Sequence, residues 1–345
     1  INGGMQVWQR STSVSVSDGS NEDYQSVDRY GFKFGNNAAG ACTVSQSTDT
    51  PTNLGFPYSY KIDVTTVNNN SSANTQIQFF QRLEAQDIVN SGWKYNDSNS
   101  FLTISFYFKS NKSGTNKLPV QVQTQDGTGY FYVSEITQSD TNWNRHTVKI
   151  PGNSNLTFNN DNGYGLEVSW YFTVGSSLQG AADTWTTSAR HGTSNSTNYF
   201  ASTANDMFIT GIQIEATTNG VATDFEHRSF GQELDLCLRY FQRFVSGENY
   251  QIGMGALYTA TQLKTIFGFI KEMRAAPTVV QTTGTDYYVF YRNGAADYFD
   301  GFGVENTDER KTCLNNANQI SGTVGHGGIV RTYNANARID FDAEL

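Results

Sequence analysis

GLEVSWYFTV, residues 165–174, puts Leu166, Val168, Trp170, Phe172 and Val174 on one side of an extended chain. Glu167, Ser169, Tyr171 and Thr173 fall on the other. Apolar residues two apart belong to a strand, because successive side chains point to opposite faces of a sheet. The same period runs through FLTISFYF (101–108), where Leu102, Ile104, Phe106 and Phe108 oppose Thr103, Ser105 and Tyr107. In SYKIDVTTV (59–67), Tyr60, Ile62 and Val64 alternate with Lys61, Asp63 and Thr65. PVQVQTQDGTGYFYV (119–133) reads as a hairpin with Asp126-Gly127 at its turn. One polar face per strand marks antiparallel sheet wetted on one side. Many such strands joined by Asn, Gly and Ser turns make a sandwich or jelly roll. Residues 175–203 are too polar and irregular for a strand and read as a long surface loop.

Composition agrees. Charged residues make up 16% of the 345-residue chain, below the usual ~25%, while aromatics reach 14%. Aromatic and β-branched residues among small polar ones suit strands and tight turns. The net charge is −9, and neither half of the chain is basic, so no electrostatic footprint for nucleic acid is present. No apolar run approaches the ~18 residues of a membrane-spanning helix. No signal peptide is visible, and a start on Ile1 rather than Met reads as cut from a longer chain. Three scattered cysteines, Cys42, Cys237 and Cys313, form neither a disulfide framework nor a zinc pattern; reduced thiols fit synthesis in a cytoplasm.

One stretch breaks the strand pattern. Ser229 and Gln232 have the spacing of a capping box, and Phe230, Leu234, Cys237, Leu238 and Phe241 recur at helical spacing. Leu236 and Tyr240 widen the apolar surface, and Asp235 and Arg239 can pair at i, i+4. An amphipathic helix over 229–244, apolar on more than one side, is expected between two surfaces. The surfaces are two domains, or a domain and a neighbouring subunit, and Leu234, Leu236, Leu238, Tyr240 and Phe241 are the expected assembly interface. Beyond it, QLKTIFGFIKEMRAAP (262–277) fits both helix and strand, with a slight lean to strand. YYVFYRNGAADYF (287–299) is a hairpin turning at Asn293-Gly294. The expected organisation is an all-β chain: a jelly-roll sandwich over 1–228, a linking helix over 229–244, and a smaller β domain over 245–345.

These residues also carry a family likeness. NGGMQVWQRSTS (2–13) followed by DRYGFKF (28–34) resembles the opening of a group of bacteriophage tail-fibre and virion appendage proteins. ITGIQIEATTNGVATDFEHRSFGQELDLCLRYFQR (209–243) resembles that group more specifically. The tyrosine pair of its helix is here Tyr240-Phe241, and Leu238 stands where the group often has Gln. EMRAAPTV (272–279) and the terminal IDFDAEL (339–345) are similar to it as well. The first domain's layout resembles carbohydrate-binding jelly rolls. The resemblance implies a virion surface part, made in a host bacterial cytoplasm and usually trimeric, that meets the host cell. Implied partners are sister subunits, other virion proteins, and a host surface glycan or envelope protein, with no membrane insertion. It tips 263–270 toward strand. It also raises a structural calcium as an option, with Asp23, Asp28 and Asp224 as ligands that no spacing supports; no other cofactor is expected.

Tests for chemistry give little. His146, His191, His227 and His326 form no metal pair, and no nucleophile elbow accompanies them. SGTVGHGGIV (321–330) lacks the Lys-Ser/Thr of a phosphate loop. FNNDNGYGLE (158–167), read as a calcium loop through Gly163, would put Phe158 and Ser169 where acids belong, so Asp161-Asn162-Gly163 is a turn. Asp297, Asp300, Glu305, Asp308 and Glu309 read as solvated loop charges, although glycoside hydrolysis needs paired carboxylates. Asn-x-Ser/Thr triplets at Asn70, Asn96, Asn111, Asn155 and Asn195 matter only in a eukaryotic secretory context. Aromatics are the better signal, since a ring face can stack on a sugar while its tip hydrogen-bonds. Trp185, Trp93 and Tyr95 in loop contexts, with Tyr288, Tyr291 and Tyr298 in the C-terminal hairpin, are the glycan-binding candidates; Trp143 begins a strand and reads as core. The expected function is a phage fibre or other appendage displaying a receptor-binding, glycan-binding surface, not an enzyme. The alternatives are a binding module of a secreted polysaccharide-degrading enzyme and a fibre-borne depolymerase.

Overall fold

The alternating stretches become twenty-two antiparallel strands among the described residues of the computed structural model, which are 1–17, 24–36, 38–69 and 72–345. Asp23 and Asn70 lie outside them. Two units are distinguished, Ile1–Glu233 with Leu345, and Leu234–Glu344.

The first unit holds β1 (Ser13–Ser17), β2 (Gly31–Gly35), β3 (Ala41–Ser47), β4 (Ser59–Thr66), β5 (Gln76–Glu84), α1 (Ala85–Val89) and β6 (Phe101–Ser110). It continues through β7 (Asn116–Thr124), β8 (Phe131–Gln138), β9 (Asn144–Pro151), β10 (Tyr164–Val174), β11 (Trp185–Thr186) and β12 (Asp206–Thr217). Two six-stranded sheets result, ordered β1-β3-β4-β12-β6-β9 and β11-β8-β7-β10-β5-β2. They form the expected β-sandwich of jelly-roll type. The apolar sides of 101–108 and 165–174 meet in its core, where Phe106 packs edge-on to Trp170 at 5.5 Å and Phe108 lies 6.5 Å from Phe172. The 119–133 hairpin forms as β7 and β8, with Gly127 at φ +64° supplying the turn.

The expectation that one face of each sheet is wet fails on the second sheet. Residues 175–203 are irregular, as expected, and exposed over much of their length, but they are more than a surface loop. They lay His191 over Tyr171 on the outer face, contribute β11, and send Tyr199 and Phe200, fully buried, into the core between the sheets. The polar side of β10 and β7 is covered where the segment crosses it, and Gln121, Ser169 and Thr173 are fully buried. The covering segment supplies partners to Gln121 and Thr173, while Ser169 donates to Glu167. Gln121 donates to the Arg190 carbonyl at 2.6 Å, Thr173 donates to Asn198, and Thr193 and Ser196 both donate to Glu135 at 2.8 Å. Alternation reports which way a side chain points, not what lies over it.

Helix α2 runs over Phe230–Cys237, half the expected length. Its capping box forms as spaced: Ser229 N–H donates to the Gln232 side-chain oxygen at 3.0 Å, and Gln232 N–H to Ser229 Oγ at 3.4 Å. Phe241, the last residue of the apolar stripe, instead begins β13 (Phe241–Ser246), which pairs with β22 (Arg338–Asp342). Long-range strand pairing outweighs helical spacing there. Asp235 takes Lys271 as a cation.

The second unit adds β14 (Gln251–Thr259), β15 (Gln262–Gly268), β16 (Thr278–Gln281), β17 (Tyr288–Arg292), β18 (Ala295–Phe299), β19 (Gly303–Thr307), β20 (Lys311–Asn316) and β21 (Gly327–Thr332). A three-stranded sheet, β13-β22-β16, faces a seven-stranded one, β18-β17-β21-β14-β15-β20-β19. Phe267 of the larger sheet and Phe244 of the smaller stack at 4.7 Å, with Phe341 against both. The ambiguous 262–268 is strand. The β17–β18 turn has positive φ at both Asn293 and Gly294, as a two-residue hairpin turn demands.

Candidate functional site

Strand alternation divides the tyrosines of the C-terminal hairpin. Tyr288, Phe290 and Phe299 point inward and are fully buried. Tyr291 and Tyr298 point to the outer face of the seven-stranded sheet. Val289 pairs with Tyr298 on one side and Arg331 on the other, so these two flank it across three strands. Tyr333, just past β21, meets Tyr298 edge-on at 4.7 Å. The Arg331 guanidinium lies 4.7 Å from the Tyr291 ring centre and donates to Asn249 Oδ1 at 3.2 Å and to the Tyr291 hydroxyl at 3.4 Å. Val289 is fully buried beneath them, while Tyr298 is 38% and Tyr333 40% exposed. Partial desolvation first, then the neighbouring Tyr291 and Tyr333, raises the Tyr298 pKa above that of an ordinary phenol. The result is a platform of three ring systems and one planar cation, rigid underneath and open above. Such a surface offers CH-stacking faces, hydroxyl tips and charged donors together.

Of the expected glycan-binding residues, the structure brings together Tyr291 and Tyr298. Tyr288 is core, and its hydroxyl donates to the carbonyls of Thr282 and Arg338. Trp93 is also core, 3% exposed, with its indole N–H on the Ser100 carbonyl, so its ring faces are not offered to a ligand. Tyr95 packs edge-on to Phe158 at 5.0 Å beside it. Trp185 is half-buried against Tyr132 and donates to the Pro151 carbonyl at 2.8 Å. In both tryptophans the indole N–H has a backbone acceptor, with the ring turned inward. Trp143, expected as core, is half-buried and donates to Asp49 at 2.9 Å. The sequence reading did not single out Arg331 and Tyr333. Their signal is the alternation of Val330 and Thr332, buried, with Arg331 and Tyr333, facing out.

Of the expected assembly residues, Leu238, Tyr240 and Phe241 are buried in the single chain, and Leu234 and Leu236 are half-buried. Four of the five carboxylates of 297–309 have protein partners. Asp297 meets Arg292 at 2.5 Å, Glu305 meets Lys264 at 2.7 Å, Asp300 accepts from Asp286 N–H, and Asp308 accepts from Arg310 and Lys311 N–H. Among the described residues no group of three His, Cys, Asp or Glu side chains is arranged to hold a metal. Asp28 is buried and accepts from Gln9, while Asp224 stands exposed 3.8 Å from Arg145. A cleft of 530 Å³ lies by Lys94, Asn99, Glu215 and Thr217, but no aromatic residue lines it.

No protein-family model matches the chain. No curated protein matches it. Among solved structures it is similar to the enzymatically active domain of Bacteriophage CBA120 tailspike protein 4, at 13% identity and a TM-score of 0.32, over 63% of this chain and 21% of that one. It thus spans about a fifth of that tailspike chain. It is also similar to a CBM4 structure, at 11% identity and a TM-score of 0.32, over 63% of this chain and 99% of that one. A third likeness is to the family 11 carbohydrate-binding module from Clostridium thermocellum, at 12% identity and a TM-score of 0.29, over 59% of this chain and 95% of that one.

Proposed function

We propose that this chain is a binding protein of a virion surface, a tail fibre or other appendage, and that it attaches to a host glycan. The observation that carries the glycan reading is the platform of exposed Tyr298 and Tyr333 with half-buried Tyr291 and its stacked Arg331. Exposed rings held rigid by a buried floor lose little entropy on stacking with a sugar. The resemblance of the chain's opening, its 209–243 junction and its ending to phage tail-fibre proteins supports the virion setting. In that setting weak contacts add through multivalent display, so a shallow platform suffices. Association with sister subunits, in a trimer, belongs to the same reading. Binding without turnover is the proposed activity, in keeping with carboxylates that are already engaged within the chain.

Affinity electrophoresis in gels containing host surface polysaccharide tests it. The wild-type chain is expected to be retarded, and Tyr298→Ala/Tyr333→Ala to run free with unchanged melting. Equal retardation of both would remove the platform from consideration. Release of reducing ends from the polysaccharide would favour a depolymerase instead.

A further inference from the structure

Arg243, Arg292, Arg310 and Arg338 of the second unit each meet an Asp or Glu at 3.1 Å or closer. Arg331, on the tyrosine platform, has no such partner among the described residues. Its hydrogen bonds go to neutral oxygens, Asn249 Oδ1 and the Tyr291 hydroxyl. Both leave from Nη2, so Nη1 has no acceptor among the described residues, and Nε is buried without one. Asn249 also acts as a spacer, since its amide nitrogen donates to Glu248 at 3.1 Å while its Oδ1 faces Arg331. In a chain of net −9, a half-buried guanidinium pinned over a tyrosine ring is thus kept without a counter-ion. A planar cation fixed in this way and left unpaired is suited to an anionic group brought by a ligand.

Resting on the glycan reading above, we propose that the sugar taken by this platform carries a carboxylate, as a uronic acid or another acidic monosaccharide does, and that Arg331 receives it. Arg331 and Tyr298 flank Val289 on neighbouring strands, about two strand spacings or roughly 10 Å apart. A sugar ring lying over Val289 places its carboxylate at Nη1 and turns its hydroxyls toward Tyr298. The far end reinforces this direction. Asp286 is exposed there, close enough to Tyr298 to act on its hydroxyl electrostatically. It repels a carboxylate and accepts from sugar hydroxyls, so the acidic end of the ligand belongs at Arg331. The count of charges selects the class of anion. One guanidinium with one open nitrogen matches a monoanion, whereas the second charge of a phosphate monoester would meet no cation here. Long-range repulsion by the net −9 makes this local cation decisive for any acidic polymer.

The test is affinity electrophoresis of the full chain in host surface polysaccharide, native and with its sugar carboxylates chemically reduced to alcohols. Wild type is expected to bind the native polymer about 10-fold or more tightly than the reduced one, the worth of a hydrogen bond to a charged group. Arg331→Gln is expected to bring that ratio close to one, and Arg331→Lys, which keeps the charge but not the planar fork, to retain part of it. Equal retardation of wild type by both polymers overturns the inference and leaves the glycan reading standing. A native-over-reduced preference that survives in Arg331→Gln overturns it too, because the carboxylate is then held elsewhere. No retardation by either polymer removes the glycan reading and this inference together. The wild-type comparison decides the matter by itself if the glutamine variant misfolds.

Discussion

The imidazole of His191 lies 4.8 Å from the ring of Tyr171 and nearly parallel to it, at 18°. Gln121 holds it there, 2.7 Å from Nδ1. Burial first, then the charges of Lys33 and Arg190, push the His191 pKa down from 6.5 to about 4. The unfolded chain thus binds a proton that the folded chain refuses between those values, so folding stability must rise with pH across that window. The contribution is full above pH 6.5 and is lost as pH falls toward 4, by up to roughly 3 kcal/mol. His146, also lowered to about 4 and chiefly by burial, acts in the same direction. Urea unfolding at pH 7 and pH 4.5 should show this loss, and His191→Gln should flatten it while leaving the His146 share. An unchanged pH slope in the variant would mean that the covering segment opens freely.

Arg82 and Glu167 form a nearly buried pair at 3.0 Å, with 12% and 5% of their side chains exposed. Glu167 also accepts from Tyr164 and Ser169, and Arg82 lies over the rings of Phe80 and Tyr164. Removing one partner strands the other charge, so Glu167→Leu is expected to cost about 3–5 kcal/mol. Arg82→Met/Glu167→Leu should cost less than that single change. Denaturant midpoints of the three proteins check the order.

The two hairpin tyrosines that face opposite ways separate binding from stability. Tyr288→Ala removes a fully buried ring and should lower stability by about 3–5 kcal/mol. Tyr298→Ala should leave melting nearly unchanged and weaken glycan retention. Calorimetry and affinity electrophoresis on both variants make the comparison.

Two glycines should respond oppositely to alanine. A Cβ on Gly328 would sit 2.1 Å from the Tyr291 carbonyl oxygen, so Gly328→Ala must separate β17 from β21 and destabilise by at least about 1–3 kcal/mol. A Cβ on Gly231, in α2, meets nothing within 4 Å, so Gly231→Ala should stabilise by about 0.5–1 kcal/mol. Thermal midpoints report both signs.

Leu238 is 9% exposed at the end of α2. Leu238→Asp would place an unpaired carboxylate there, at a cost of several kcal/mol. The expected result is loss of cooperative unfolding, or a large fall in its midpoint, by circular dichroism. Unchanged melting would show that α2 is not tightly packed.

The sequence by itself determined the fold class, because alternation and turn chemistry are local. Leu166 to Val174 could line only one side of a strand, and Asn293-Gly294 could adopt positive φ where a hairpin needed it. The Ser229–Gln232 capping box was legible for the same reason. The end of α2 was not, since Phe241 fits a helical stripe equally well until β22, a hundred residues later, offers it a ladder. The candidate site was half legible. Tyr291 and Tyr298 stood out by composition, but Arg331 and Tyr333 joined them only through the β17–β21 register. Trp93 and Trp185 looked exposed in polar loops, yet their indole N–H groups have backbone acceptors, with the rings turned inward. Tertiary structure alone decided which polar face is wet. Glu167, Ser169 and Tyr171 have the pattern of a solvated side, yet Arg82 and Tyr164 enclose the Glu167 end and the segment that carries His191 covers Tyr171, which makes it an interior. Side-chain direction is fixed by neighbours in the chain, whereas what covers a face is fixed by residues that are distant in the chain and near only in the fold.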